Sequence, residues 1–169
     1  IKKSLLRSLH IAFIGGGMVS GVREKDYSLL PEEDMASWLE PGLQAWGEII
    51  SLNSAVKWLQ TVRVNGQKPA EYITDLSKQL FDGLSSINGI TIINKAPASV
   101  ISFYSPKIDA HRLAVFLSAS GIMARSGYFC CHYYLLEKCK FPPLLRLSIG
   151  LHTTKADIIK TLEAIKKFV

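Results

Sequence analysis

Two runs rich in β-branched and aromatic residues, ITIIN (90–94) and SVISFYS (99–105), follow the turn dipeptide Asn88-Gly89 and are separated only by KAPA. They predict an antiparallel strand pair, around which the rest of the chain has to be arranged. The neighbouring segments have helical periodicity. From Gln44 to about Leu59, the residues Ile49, Leu52, Val56 and Leu59 recur at spacings of three and four, which makes one face apolar. VNGQKP breaks that helix, and Ile73, Leu76, Leu80 and Leu84 share a face on the next. Asp109 caps a helix through Ser120, ended by Gly121, and IMARS (122–126) predicts a short strand. A short helix follows, and the alternation of LLRLSIG (144–150) after KFPP gives another strand. Thr154 with Asp157 forms a capping-box pattern opening a last helix striped by Ile158, Leu162, Ile165 and Val169. The predicted fold class is therefore α/β of the α+β kind: a mostly antiparallel sheet covered on one face by helices. Residues 1 to about 41 read as irregular: HIAFI meets GGG, then the acidic, turn-rich PEEDMASWLEPG.

Length and charge bound the rest. The 169 residues suit one domain, or a smaller domain with a piece of another. No apolar run approaches the roughly 20 residues of a spanning helix. IKKSLLRSLHIAFIGGGMV mimics a secretory leader, but His10 interrupts the apolar patch and no small-x-small cleavage site follows. The first residue is Ile1 rather than Met, which predicts a fragment or a processed product. The net charge of +6 is scattered, without a basic stripe and interleaved aromatics, and predicts a solvated surface rather than a nucleic-acid or membrane partner. Three clustered cysteines, an odd number, argue against a secreted disulfide framework and for a reducing, cytoplasmic compartment.

All three cysteines lie in GIMARSGYFCCHYYLLEKC, residues 121–139. Cys130, Cys131, His132 and Cys139 offer zinc-ligating atoms, but no pair has the two-residue gap of a zinc knuckle. Adjacent cysteines also close a strained disulfide ring. IGGGMVSG fails as a dinucleotide fingerprint, because Ser20 stands where the third glycine belongs after Gly15 and Gly17. A buried, inert thiol is the ordinary fate of a cysteine. Cys130, however, follows Ser-Gly after a strand, precedes a short helix, and has Arg125 five residues before it. A cation and a helix N-terminus favour the nucleophilic thiolate.

GIMARSGYFCCHYYL followed by LLRLSIGLHTTKADIIKTLEAI resembles the C-terminal part of group II cysteine desulfurases, pyridoxal-phosphate enzymes of the class V aminotransferase superfamily. That family has an Arg-Ala-Gly-His-His-Cys loop, an Arg-x-Ser strand, a Tyr-Asn-Thr turn and a last helix. FIGGGMV, WLEPGLQAWGEIISLNSAVKWL and SVISFYSPKIDAHRLAVFL resemble, in order, its triple-glycine segment, its Arg-Phe-Glu-x-Gly-Thr-Pro-Asn segment with the following helix, and its Val-Ser-Phe strand and helix. The resemblance implies a small C-terminal domain of a fold-type I pyridoxal-phosphate enzyme over residues 46–169, with residues 1–45 a strip of the large domain. It implies Cys130 as the sulfur-attacking thiol, Arg146 as the grip on the substrate carboxylate, and Arg125 as the loop arginine beside the thiol. The implied reaction moves sulfur from L-cysteine to a Cys130 persulfide and leaves L-alanine. The implied partners are L-cysteine, a sulfur acceptor protein feeding iron–sulfur cluster assembly, and a second copy in a homodimer.

Departures accompany the match. Tyr128 and Phe129 replace the two loop histidines, and apolar surroundings favour the neutral thiol. Leu43 replaces the threonine that reaches the cofactor phosphate, Trp38 replaces an arginine, and the Tyr-Asn-Thr turn reads His152, Thr153, Thr154. Lys2 and Lys3 lack the Ser-x-His-Lys context of the Schiff-base lysine, so no residue of this chain is assigned to the cofactor and the chain alone is expected not to catalyse. Two alternatives stand beside this reading: another superfamily member, such as a selenocysteine lyase, a kynureninase-like hydrolase or an epimerase, and a degenerate, non-catalytic interaction domain.

Overall fold

The computed structural model describes residues 2–6, 8–31 and 38–169, so the centre of the acidic PEEDMASWLEPG stretch lies outside the described residues. By its internal contacts the chain divides into two compact units, Ile1–Trp58 and Leu59–Val169.

The first unit contains a short helix, α1 (Lys3–Leu6), and an antiparallel hairpin of β1 (Val19–Val22) and β2 (Tyr27–Leu29). Its turn closes where the Arg23 N–H donates to the Asp26 carbonyl at 2.8 Å. This hairpin corrects the irregular reading of residues 1–41. Its strands are short and mostly exposed, so they carry no apolar alternation to betray them. HIAFI, for its part, has no regular secondary structure. The triple glycine has a packing role: a Cβ on Gly15 would stand 3.0 Å from the Pro41 Cβ. Beside it the Gly42 N–H donates to the Gly16 carbonyl at 2.7 Å. Helix α2 (Trp46–Thr61) crosses the division between the units and buries none of its residues, its Ile49, Leu52, Val56, Leu59 stripe included.

After α2 the second unit continues through a turn closed by reciprocal Val64–Gln67 backbone bonds of 3.0 Å, with Asn65 and Gly66 in the left-handed region. Helix α3 (Pro69–Ser85) opens on a proline, whose missing N–H costs nothing in the first turn, and buries Tyr72, Leu76, Leu80 and Leu84. The sheet then forms from β3 (Thr91–Ile92), β4 (Val100–Tyr104), β5 (Arg125–Gly127) and β6 (Leu144–Ser148). Its order is β3-β4-β6-β5 and every pairing is antiparallel. Beyond β3 the pairing continues through a side chain: Asn94 accepts from the Ser102 N–H and donates to the Val100 carbonyl, both at 2.9 Å. Helix α4 (Ala110–Ala119) is capped by Asp109, and α5 (Lys155–Phe168) by Thr154.

Strand alternation sorts the two faces of this sheet. Ile101 and Phe103 of β4 and Leu145 and Leu147 of β6 point inward to one core with Leu76, Leu80, Leu84, Leu113, Leu117, Ile158 and Ile165 from the three helices. Each such side chain contributes roughly 1.5–3 kcal/mol on burial. The architecture is the helix-covered antiparallel sheet that the sequence pattern predicted. The opposite face carries Ser102, Leu144, Arg146 and Arg125. Between β5 and β6 the chain makes a six-residue π-helical turn, Tyr133–Lys138, which buries Leu135.

Candidate active site

Arg146 sits mid-strand in β6, with Ser102 of β4 as its register partner on one side and Arg125 of β5 on the other. Directly opposed residues in an antiparallel pair share a face, so both arginine side chains leave the sheet on the face away from the helices. Like charges in that position destabilise a sheet unless something anionic joins them. Among the described residues neither arginine has an ion-pair partner; the ion pairs are Arg23–Asp26 and Lys140–Glu137, both exposed. Arg146 Nε is in addition buried without a hydrogen-bond partner. A buried, unpaired donor costs about 1–3 kcal/mol, which an arriving carboxylate would offset with charge-assisted bonds to the planar fork.

The cysteine loop leaves β5 at Gly127 (φ 112°) and turns back at once. The Cys131 N–H donates to the Tyr128 carbonyl at 2.8 Å, closing a four-residue turn with Phe129 (φ 52°) and Cys130 (φ 62°) at its centre. Positive φ at both central positions is the type I′ pattern, which glycine, asparagine and aspartate normally fill. Phenylalanine and cysteine there cost of order 1–3 kcal/mol each, a strain that surrounding contacts have to sustain. One such contact is evident. The Phe129 ring lies over the Arg146 guanidinium, 4.7 Å from the carbon to the ring centroid. A cation–π contact is worth about 0.5–2 kcal/mol depending on its desolvation.

The turn leaves Cys130 exposed, and its neighbour Phe129 touches Arg146, the register partner of Arg125. Cys131 is exposed as well, and all three cysteines are free thiols. Cys139 is engaged elsewhere: its thiol shares a hydrogen bond with the Tyr134 phenol and pushes that group above its ordinary value. Among the described residues no cluster of histidine, cysteine and carboxylate could hold a metal ion, and no helix is long and apolar enough to cross a membrane. A cavity of about 240 Å³ lies elsewhere in the unit, lined by Leu80, Ile122, Leu147, Ile149, Ile158 and Thr161 among others, and includes none of the three candidate residues.

The departures from the family pattern have structural explanations in part. Trp38 donates from Nε1 to the Leu30 carbonyl at 2.6 Å, a fastening within the first unit. Leu43 is 97% exposed, and its hydrocarbon side chain has no donor to offer a phosphate. His152 is exposed, with its ring against Gly150, in a turn where the Gly150 N–H donates to Thr153 Oγ1 at 3.1 Å. Tyr72 ties that turn to α3 by donating to the Thr153 carbonyl at 2.6 Å. Sequence reasoning named Cys130, Arg125 and Arg146 but missed two neighbours. Phe129 read only as the loss of a histidine, and Ser102 gave no signal, since register is not visible in one strand alone.

Comparison with known proteins places the chain in a family. The profile of aminotransferase class V matches residues 1–160. A protein of Chlamydia trachomatis named "Probable cysteine desulfurase" is 28% identical over 169 residues, which is 98% of this chain and 40% of that protein. Among solved structures, a cysteine desulfurase from Escherichia coli superposes with a TM-score of 0.77 at 22% identity, over 97% of this chain and 40% of the other. An apo structure of a cysteine desulfurase from Thermococcus onnurineus gives a TM-score of 0.78 at 22% identity, over 100% of this chain and 42% of the other. The chain spans about 40% of the length of the curated relatives it matches. With the profile running over most of its residues, the chain belongs to the class V aminotransferase family.

Proposed function

We propose that this chain is the sulfur-accepting part of a cysteine desulfurase, with residues 46–169 as its small domain and residues 1–45 as a strip of the large one. Arg146 binds the carboxylate of L-cysteine through its in-plane N–H groups, and Arg125 adds charge from the adjoining strand. The Cys130 thiolate attacks the substrate sulfur. A sulfur–sulfur bond forms, the substrate carbon–sulfur bond breaks, and the electron pair left on carbon takes a proton to give L-alanine. Pyridoxal phosphate, when bound, supplies the electron sink for that cleavage. No residue of this chain is assigned to hold it, and the cofactor lysine is placed elsewhere in the full-length protein. The persulfide then passes to an acceptor protein, and the enzyme works as a homodimer in the cytoplasm.

The observation that carries this reading is the join between Phe129 and Arg146, because it sets the turn that bears Cys130 beside an unpartnered guanidinium. The test is to supply the full-length protein with pyridoxal phosphate and L-cysteine, alkylate, and map the trapped persulfide by mass spectrometry. The label is expected on Cys130, and Cys130→Ala is expected to abolish alanine release. Alanine production that survives Cys130→Ala overturns the assignment.

A further inference from the structure

We propose that Phe129 is a positioning residue that tethers the Cys130 turn to the Arg146 guanidinium, so that thiol presentation and carboxylate capture depend on one side-chain pair. The use of this pair rests on the desulfurase reading, whereas its existence is measurable without turnover.

The turn itself does not explain its own conformation. Two consecutive residues other than glycine occupy the left-handed region, and one backbone bond, from Cys131 N–H to Tyr128 carbonyl, closes them. The Tyr128 and His132 rings, 5.2 Å apart, meet each other within the loop. The Phe129 ring, by contrast, reaches mid-strand β6 and lies over the one cation there with a buried, unpaired Nε. The contact is made through the ring's π-face, which engages the cation without using any of its N–H donors, so those remain for a carboxylate. The ring also displaces water beside the guanidinium, and a lower local dielectric strengthens its attraction for an anion. Loss of the ring should therefore loosen the turn and weaken the grip on the ligand together.

The experiment is residue-resolved amide hydrogen exchange on the purified chain, read at Cys131, with Ile101 and Phe103 as reporters of an intact sheet. Phe129→Leu is expected to speed exchange at Cys131 about five-fold, the size of a partly exposed cation–π contact. Phe129→Trp is expected to restore slow exchange. The Arg146 Nε–H resonance should move downfield in Phe129→Leu and return in Phe129→Trp, a ring-current signature that filling space alone does not produce. Arg146→Gln is expected to match Phe129→Leu, and the double variant to exchange no faster than either single one, as coupled residues require. Should Arg146→Gln lose protection at Ile101 and Phe103, Arg146→Met, which keeps the packing, takes its place with the same expectation. Unchanged exchange in Phe129→Leu, or effects that multiply in the double variant, would overturn the tether. A chain that shows the coupling while the full-length protein traps no persulfide keeps the tether and loses the desulfurase reading; the converse result does the opposite.

Discussion

Arg125 and Arg146 are register partners with no carboxylate between them, and the cost of that arrangement is what makes it informative. A sheet gains nothing from directly opposed arginines, so an anionic visitor is the natural completion of the pair. Replacing Arg146 by lysine keeps the charge and removes the fork. In the full-length enzyme this is expected to raise KM for L-cysteine about 10- to 100-fold, the loss of one charge-assisted hydrogen bond, with a smaller effect on kcat. Steady-state kinetics on L-cysteine check it, and an unchanged KM would remove Arg146 from the substrate. The adjacent thiols are separable in the same way. Cys130 and Cys131 are both exposed, but only Cys130 occupies a central, left-handed position of the turn. Cys131→Ala is therefore expected to retain persulfide formation, and mass mapping that finds the persulfide on Cys131 would reverse the assignment. At this scale the sequence named the thiol and both arginines, because motif order marks residue types. It did not disclose Phe129 as a contact, since nothing in a run of letters says which ring reaches which strand.

Caps and stripes were the most legible elements. The box expected at Thr154 and Asp157 is formed: the Thr154 N–H and hydroxyl donate to Asp157 Oδ2 at 2.8 and 2.7 Å, and the Asp157 N–H donates to the Thr154 hydroxyl at 3.2 Å. The hydroxyl bond, then the backbone bond, hold the Asp157 carboxyl below its ordinary value, with Lys160 and His152 adding charge and burial opposing them. A carboxyl lowered on folding stabilises the fold above its unfolded value and loses that contribution as pH falls through the folded one. The melting temperature of Asp157→Asn is thus expected to lie below that of the wild type at neutral pH and to converge on it in acid. A constant gap from neutral to acid pH would mean that ionisation plays no part. Thr154→Ala removes the reciprocal half of the box and is expected to cost about 1 kcal/mol by denaturant unfolding. The buried stripe of α3 was equally plain, and Leu76, fully buried, is expected to cost about 2–5 kcal/mol when cut to alanine. The β1–β2 hairpin was illegible for a physical reason: its strands are too short and too exposed to impose a period.

Across the whole chain, helical periodicity identified a stripe on α2 without saying what covers it, because amphipathic spacing records a face and not a partner. Trp46, Ile49, Ile50, Leu52, Val56 and Leu59 are all exposed, and α2 buries no residue at all. The inner stripes of α3 and α5 differ only in finding a sheet to lie on. A bare apolar face of this extent favours association in water. The purified chain is therefore expected to grow in hydrodynamic size with concentration, as measured by light scattering after size exclusion. Placing carboxylates on the stripe, in a Leu52→Glu, Val56→Glu double variant, should return it to a monomer. The same variant should leave unfolding of residues 59–169 unchanged to within about 0.5 kcal/mol, since exposed substitutions remove no core contact. Association that persists in the double variant would place the adhesive surface elsewhere. A wild-type chain that stays monomeric at high concentration and binds no apolar dye would mean that the α2 face is covered in solution.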